Sequence, residues 1–199
     1  MQSAFEQKIA ETEMTALRAQ MNPHFIFNAL NSIRALVDEN PERARKAITE
    51  LSNILRSSMQ AEKMETVPLQ QELDIVRDYL ALEHMRFEER LQIDLQIAED
   101  TLLQPVPPMM LQTLVENAIK HGISVFPGNG MIRIEAFRID DNLKIIVSNT
   151  GKLSSEKPLT GVGFKNSIQR LELLYGQKGK IFITEVHDLV VVDITIPLN

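Results

Sequence analysis

At Leu91 the hydrophobic pattern of this chain changes period, and no other feature limits the fold as much. Before it, apolar residues recur at spacings of four and three. One run is Leu73, Val76, Leu80 and Phe87; another is Ala44, Ile48, Leu51 and Leu55. A third comprises Phe5, Ile9, Thr12, Ala16, Ala19, Pro23, Ile26, Leu30, Ile33 and Val37. Such spacing belongs to helices packed along a seam. From Leu91 the pattern alternates, with Leu91, Ile93, Leu95 and Ile97 set against Gln92, Asp94 and Gln96. This is a strand with one wet face. The chain therefore reads as an α+β protein, helical first and mixed afterwards.

In the helical part, residues 1–37 are predicted to form one long helix bent near Pro23. Asp38 to Pro41 is a turn, and residues 42–60 form a second helix. Two helices on so short a turn make an antiparallel hairpin. One apolar seam cannot cover itself, so a second copy completing a four-helix bundle is expected, that is, a homodimer. The alternative is a hairpin laid against the remainder of the same chain. Glu65 to Leu69 reads as a connector, which divides the chain into residues 1–66 and 67–199. Beyond it come a third helix ending near residues 87–90, the strand at 91–97, and a helix from Met109 to His121 with Gly122 as its stop. A hairpin of strands follows, turning at Asp140 to Asn142. A polar loop at 150–160, a helix at 163–175 and strands at 180–186 and 189–196 complete the chain.

Composition excludes several classes. A formal charge of −6 with no basic run argues against a nucleic-acid surface, which needs clustered Lys and Arg to neutralise phosphates. No apolar stretch approaches the ~20 residues of a membrane span, and no signal segment opens the sequence. With no cysteine there are no disulfides, thiol nucleophiles or Cys-based metal sites, and a reducing cytoplasm fits.

Four places can carry chemistry. In Met21 to Ser32, His24 follows a proline and falls beside the seam, with Asn28 one turn further on; a satisfied structural histidine is the competing reading. On the helix at 109–121, Thr113, Asn117, Lys120 and His121 share a face. An amide oxygen with a cation and an imidazole close by could anchor a metal-bound triphosphate, since hard cations take oxygen ligands; a solvated polar face is the alternative. Ser148 to Gly151 at a strand end lets backbone approach a flat ligand, or is a turn. Thr160 to Asn166 runs a glycine pair into a helix start, where free N–H groups favour phosphate.

Taken together and in this order, these stretches resemble the LytS-like branch of the sensor histidine kinases, over Leu17 to Pro197. Leu17 to Asn31, LRAQMNPHFIFNALN, is similar to its phosphoacceptor box. Leu114 to Gly122 is similar to its N box. Gly161-Val162-Gly163-Phe164 with Lys165-Asn166 and Arg170-Leu171 is similar to its glycine box. The resemblance implies a dimerising, phosphoacceptor hairpin at 1–66 and an α/β-sandwich ATP-binding domain at 67–199, of the histidine kinase, Hsp90 and gyrase (GHKL) type.

It further implies ATP-dependent autophosphorylation of His24, with Asn28 beside it, and phosphotransfer to a response regulator receiver domain. Asn117 would be the Mg2+ ligand. Lys120, His121, Asn149, Gly151, Gly161, Gly163, Phe164, Lys165 and Asn166 would bind the nucleotide under a lid at 152–162. The fragment itself would make no membrane contact, a membrane sensor standing N-terminal to it in a longer receptor. Departures from the family pattern are specific. Asn149 replaces the aspartate that receives the adenine amino group; its oxygen still accepts, without the charge that makes such bonds stronger. A freely rotating amide would also separate adenine from guanine less well. Leu153 and Leu159 stand near glycine positions, and Phe25 stands where many such kinases have an acidic base. Two other classes share the fold. One is an ATPase or serine kinase; ATP hydrolases of this fold carry a water-activating carboxylate at the place of Thr113. A signalling module with a decayed nucleotide site is the other.

Overall fold

The structure is a computed structural model and describes residues 23–60, 64–153 and 162–198. Helix α1, Pro23–Glu39, leads through Asn40 alone into α2, Pro41–Gln60. The Asn40 side-chain oxygen accepts from the Arg43 N–H at 3.0 Å, capping a helix whose first N–H groups have no internal partner. Pro41 stands in the first turn, where no donor is needed. The hairpin is thus as expected from Pro23 onward. The earlier seam positions, Phe5 to Ala19, lie outside the described residues.

The face this hairpin buries differs from the predicted seam. Phe25, Ala29 and Ile33 are buried on α1, and Ala44, Ala47, Leu51 and Ile54 on α2, while Leu30, Val37 and Ile48 are about half exposed. The hairpin lies against α3, Leu69–Phe87. The Phe25 ring stacks at 4.6 Å on Tyr79. Arg43 pairs with Glu50 at 3.0 Å and donates to the Ala81 carbonyl at 3.2 Å, and Asn53 donates to Asp78 at 2.9 Å. Three alanines on the buried face let the helices approach closely. That is why this face goes inward and the bulkier Phe27, Leu30, Val37 and Ile48 remain outside.

The expected connector contains a short strand, β1, Val67–Pro68, which pairs antiparallel with β3, Pro105–Val106. The main sheet comprises β2, Leu91–Ile97; β4, Gly130–Ile139; β5, Asn142–Thr150; β6, Lys180–Val186; and β7, Leu189–Pro197. Its order is β2-β4-β5-β7-β6, with β2 and β4 parallel and every other pair antiparallel. Alternation along each strand sends Ile132, Ile134, Leu143, Ile145 and Ile194 into the core. There they meet Leu73 and Leu80 of α3 and Leu111 and Val115 of α4, Met110–Asn117. The other face carries cross-strand ion pairs, Arg133 to Asp94 at 2.7 Å and Lys144 to Asp193. Helix α5, Val162–Tyr175, packs beside α4. The result is the expected α+β arrangement: helices on one face of a mixed sheet.

Candidate functional site

Helix α4 is held at its start from two sides. Glu72 on α3 accepts the N–H groups of Met109, Leu111 and Gln112 at 2.7, 3.0 and 3.4 Å, so a carboxylate from a neighbouring helix caps the α4 N-terminus. Burial pushes Glu72 up to about 7, opposed by those three N–H groups and by Arg170. Arg170 on α5 donates to the Pro108 carbonyl at 3.2 Å. The three helices are therefore registered to one another at this point.

The other end of α4 differs from the prediction. Gly122 does not stop an α-helix. After Asn117 the helix widens into a π-helical turn, Ala118–Ile123, capped at Ser124. Such turns recur at functional sites. This one swings Gly122 into the end of β5. A Cβ at Gly122 would stand 2.1 Å from Asn149 Nδ2 and 2.7 Å from the Thr150 oxygen, and one at Gly151 would stand 2.9 Å from Gly122 Cα. Two glycines therefore let the turn and the strand end touch backbone to backbone. Asn117 is half-buried at the head of this turn, with Lys120 and His121 exposed along it.

Asn149 is buried, and its Nδ2 donates to the Thr150 carbonyl at 3.0 Å. The amide is consequently not free to rotate as expected: turning it would set two oxygens against each other. Asn149→Asp enforces that repulsion. It should destabilise the protein by about 1–3 kcal/mol, the cost of a buried group deprived of its partner, read as a lower urea midpoint.

Lys165 and Asn166 are exposed near the start of α5. Phe164 corrects the expectation: it is buried in the core, because the helix turns it inward, and its ring is not available to a ligand. Gly163 lies in the first turn of α5, whereas Gly161 and Leu159, with most of the expected lid, lie outside the described residues. The structure thus brings the turn that carries Lys120 and His121, with Asn117 at its head, against the end of β5 at Asn149 and Gly151 through Gly122, with α5 packed beside α4. His24 is elsewhere, exposed on α1, its Nδ1 3.1 Å from Asn28 Nδ2; α1 packs on α2 and α3.

Comparison with known proteins places this geometry. The histidine kinase family matches residues 12–91. The chain is 35% identical over 189 residues to the sensor protein LytS of Enterococcus faecalis, covering 88% of this chain and 32% of that protein. It is 34% identical over 177 residues to the sensor histidine kinase YpdA of Escherichia coli, covering 84% and 31%. This chain is similar to the histidine kinases over most of its length. It spans about a third of the length of these curated relatives. The fold agrees: the histidine kinase domain of the blue-light activated kinase EL346 of Erythrobacter litoralis superposes with a TM-score of 0.55 at 14% identity, covering 96% of this chain and 93% of that one. The catalytic domain of histidine kinase ThkA gives 0.51 at 20% identity, covering 67% and 96%.

The histidine kinase family implies use of ATP. Among the described residues no cluster of three or more His, Asp or Glu could hold a metal ion. The donor set fits a hard cation through the Asn117 amide oxygen, with the remaining oxygens brought by a phosphate ligand. Among the described residues, no helix is long and apolar enough to cross a membrane.

Sequence reasoning missed a buried polar group between α3 and α4. Tyr79, Glu83 and Gln112 are buried there, with Glu116 half-buried beside them. Gln112 donates to Glu116 at 2.9 Å. Burial first, and then repulsion from Glu83, pushes Glu116 up to about 7, while Gln112 and Lys120 oppose the shift. Burial also raises Glu83, against Arg86 and the Tyr79 hydroxyl. A signal was present: Glu72, Val76, Tyr79, Glu83 and Phe87 are spaced four, three, four and four, so both carboxylates sit on the apolar stripe of α3.

Proposed function

We propose that this chain is the kinase part of a two-component sensor, phosphorylating its own His24 from ATP and passing the phosphoryl group to a response regulator aspartate. The close junction of Gly122 with Asn149 and Gly151 carries the reading. It joins the turn headed by Asn117, the amide we assign to the metal, to the strand end with Asn149, which we assign to the base; α5, with Lys165 near its start, packs beside α4. Residues 1–66 form the phosphoacceptor unit and 67–199 the ATP-binding unit.

In the reaction a neutral imidazole nitrogen of His24 attacks the γ-phosphorus, an N–P bond forms, and the P–O bond to ADP breaks. Asn28, beside Nδ1, orients the ring; with its oxygen turned to an Nδ1–H it leaves the Nε2 lone pair for attack. Mg2+, when bound at Asn117, supplies charge neutralisation on the phosphates. Lys120, His121, Lys165 and Asn166 bind and orient the triphosphate, and Gly161 and Gly163 let backbone approach it. Catalysis of this kind is mostly positioning and electrostatics. Asn149, its NH₂ held by Thr150, presents its oxygen to the adenine amino group, so selectivity for adenine over guanine is retained and Asn149→Asp brings no gain in ATP affinity.

The test is incubation with labelled ATP and Mg2+. Acid-labile, alkali-stable phosphate mapping to the peptide of His24 is expected. Label stable to acid points instead to a serine kinase, and tight nucleotide binding without label points to a decayed module.

The protein acts as a homodimer through the apolar face left outside on α1 and α2. Phe27 is 67% exposed, Leu30 49%, Val37 51% and Ile48 51%. A second copy covering these residues completes a four-helix bundle. Leu30→Glu with Ile48→Glu should give a folded monomer by light scattering. Charges at Ile33 or Leu51, which are buried within one chain, should unfold it instead. A dimer mass for the Leu30/Ile48 variant would remove this face as the interface. A membrane sensor N-terminal to this chain belongs to the same proposal, as does a cytoplasmic location for the part described.

A further inference from the structure

The backbone leaves the end of β5 by a path that the far edge of the sheet dictates. Asn149, Val190 and Glu185 are direct cross-strand partners on β5, β7 and β6, and such partners point their side chains to the same face. Asn149 and Val190 are buried, so this is the face that the helices cover. After Thr150 the Gly151 N–H donates to the Asp188 carbonyl at 2.9 Å, in the turn between β6 and β7. Further on, the Leu153 N–H donates to Glu185 Oε2 at 2.8 Å. Residues 151–153 therefore cross from β5 past the end of β7 to β6, alongside the row that holds Asn149.

Stability alone does not account for the carboxylate. The positions of β6 that face the helices are Ile181, Ile183 and Glu185; the two isoleucines pack against the core, whereas Glu185 is exposed. A hydrogen bond at an exposed position competes with water and adds little to folding. The Lys152–Asp188 ion pair beside it, at 3.4 Å with side chains 72% and 71% exposed, adds no more. What Glu185 does provide is a fixed path. Thr150 is the last residue of β5 to pair with β7, and the carboxylate supplies an acceptor where the ladder no longer does.

We propose that Glu185 is a positioning residue for nucleotide binding: by holding the Leu153 N–H it keeps residues 151–153 in place as a wall beside Asn149 and Val190. The inference rests on the kinase reading above, which assigns Asn149 to the base, and adds to it a residue of the edge strand outside the recognised boxes. With the wall held in advance, a nucleotide does not have to order that backbone as it binds, and the entropy of ordering is not taken from its affinity. Glu185 acts through Leu153 and touches no ligand itself.

The test uses the whole protein with Glu185→Ala, Glu185→Gln and, as a control, Thr184→Ala, whose side chain is exposed on the opposite face of β6. Affinities are read for ATP with Mg2+, for adenosine and for inorganic triphosphate, beside a urea midpoint. Glu185→Ala should weaken ATP and adenosine by the same factor, about tenfold, the scale of one hydrogen bond to a charged group. Triphosphate affinity and the midpoint should not move. Glu185→Gln keeps an oxygen able to accept the Leu153 N–H and should stay within about threefold of the unmodified protein. Thr184→Ala should match the unmodified protein. Unchanged ATP and adenosine affinity in Glu185→Ala would overturn the proposal. So would equal losses in the Ala and Gln variants, since charge and not the held backbone would then be at work. A loss for all three ligands in proportion to a lowered midpoint would overturn it too, because that is how a merely structural residue behaves. If the unmodified protein binds neither ATP nor adenosine, the assignment of Asn149 to the base fails, an outcome distinct from ATP bound equally well by every variant.

Discussion

Glutamine in place of His24 should abolish phosphorylation while leaving nucleotide affinity unchanged, and alanine in place of Asn117 should abolish it by losing the metal-dependent part of nucleotide binding. The two variants separate acceptor from donor. His24 is exposed on α1, so glutamine disturbs no core contact; it removes the imidazole nitrogen proposed to form the N–P bond. Asn117 is half-buried at the head of the π turn. Among the described residues no hydrogen bond ties its side chain down, so alanine should leave the fold intact. What is lost is an oxygen for a hard cation and the charge stabilisation that cation brings, a loss of at least about a hundredfold in rate. Calorimetric titration of ATP with and without Mg2+, beside labelling assays, checks both. Asn117→Ala that melts much earlier yet keeps its Mg2+-dependent affinity would show the amide to be structural.

Gly122→Ala should be among the most damaging single substitutions in the chain. The added Cβ would sit 2.1 Å from Asn149 Nδ2 and 2.7 Å from the Thr150 oxygen. One of those atoms is backbone, so the conflict cannot be relieved by a rotamer change. Overpacking of this kind costs about 1–3 kcal/mol, and more where backbone must move. Relief would come from parting the turn and β5, which also separates Asn117 and His121 from Asn149. ATP affinity should therefore fall further than stability does. Gly176→Ala provides the comparison: its φ is +57° but nothing lies within 4 Å of the added carbon, so its cost should be only the left-handed strain of about 1 kcal/mol. Guanidinium unfolding and nucleotide titration of both variants decide the point. Equal stability losses at the two glycines would mean that the turn and the strand end yield independently.

The period of the apolar residues by itself determined most elements of this protein. Leu73, Val76, Leu80 and Phe87 mark α3, and the alternating residues of β2, β4, β5 and β7 mark the sheet, because solvent exclusion acts on each element separately and leaves its imprint locally. The boxes around His24, Asn117 and Gly163 stand out in the sequence for a similar reason: the chemistry proposed for them asks for particular residue types at short spacing. Tertiary packing alone decided which face of the hairpin turns inward. Both faces are apolar, and the small Ala29, Ala44 and Ala47 won over Leu30, Val37 and Ile48 because α3 needed a close approach. Packing also turned Gly122 from a helix stop into the contact point of a π turn, since its partner, Gly151, stands just past the end of β5, far along the chain. It pinned Asn149 through Thr150, and it buried Glu72 where the N–H groups it caps stand on another helix. A carboxylate on an apolar stripe shows in sequence as an exception; only its neighbours in space say what it holds.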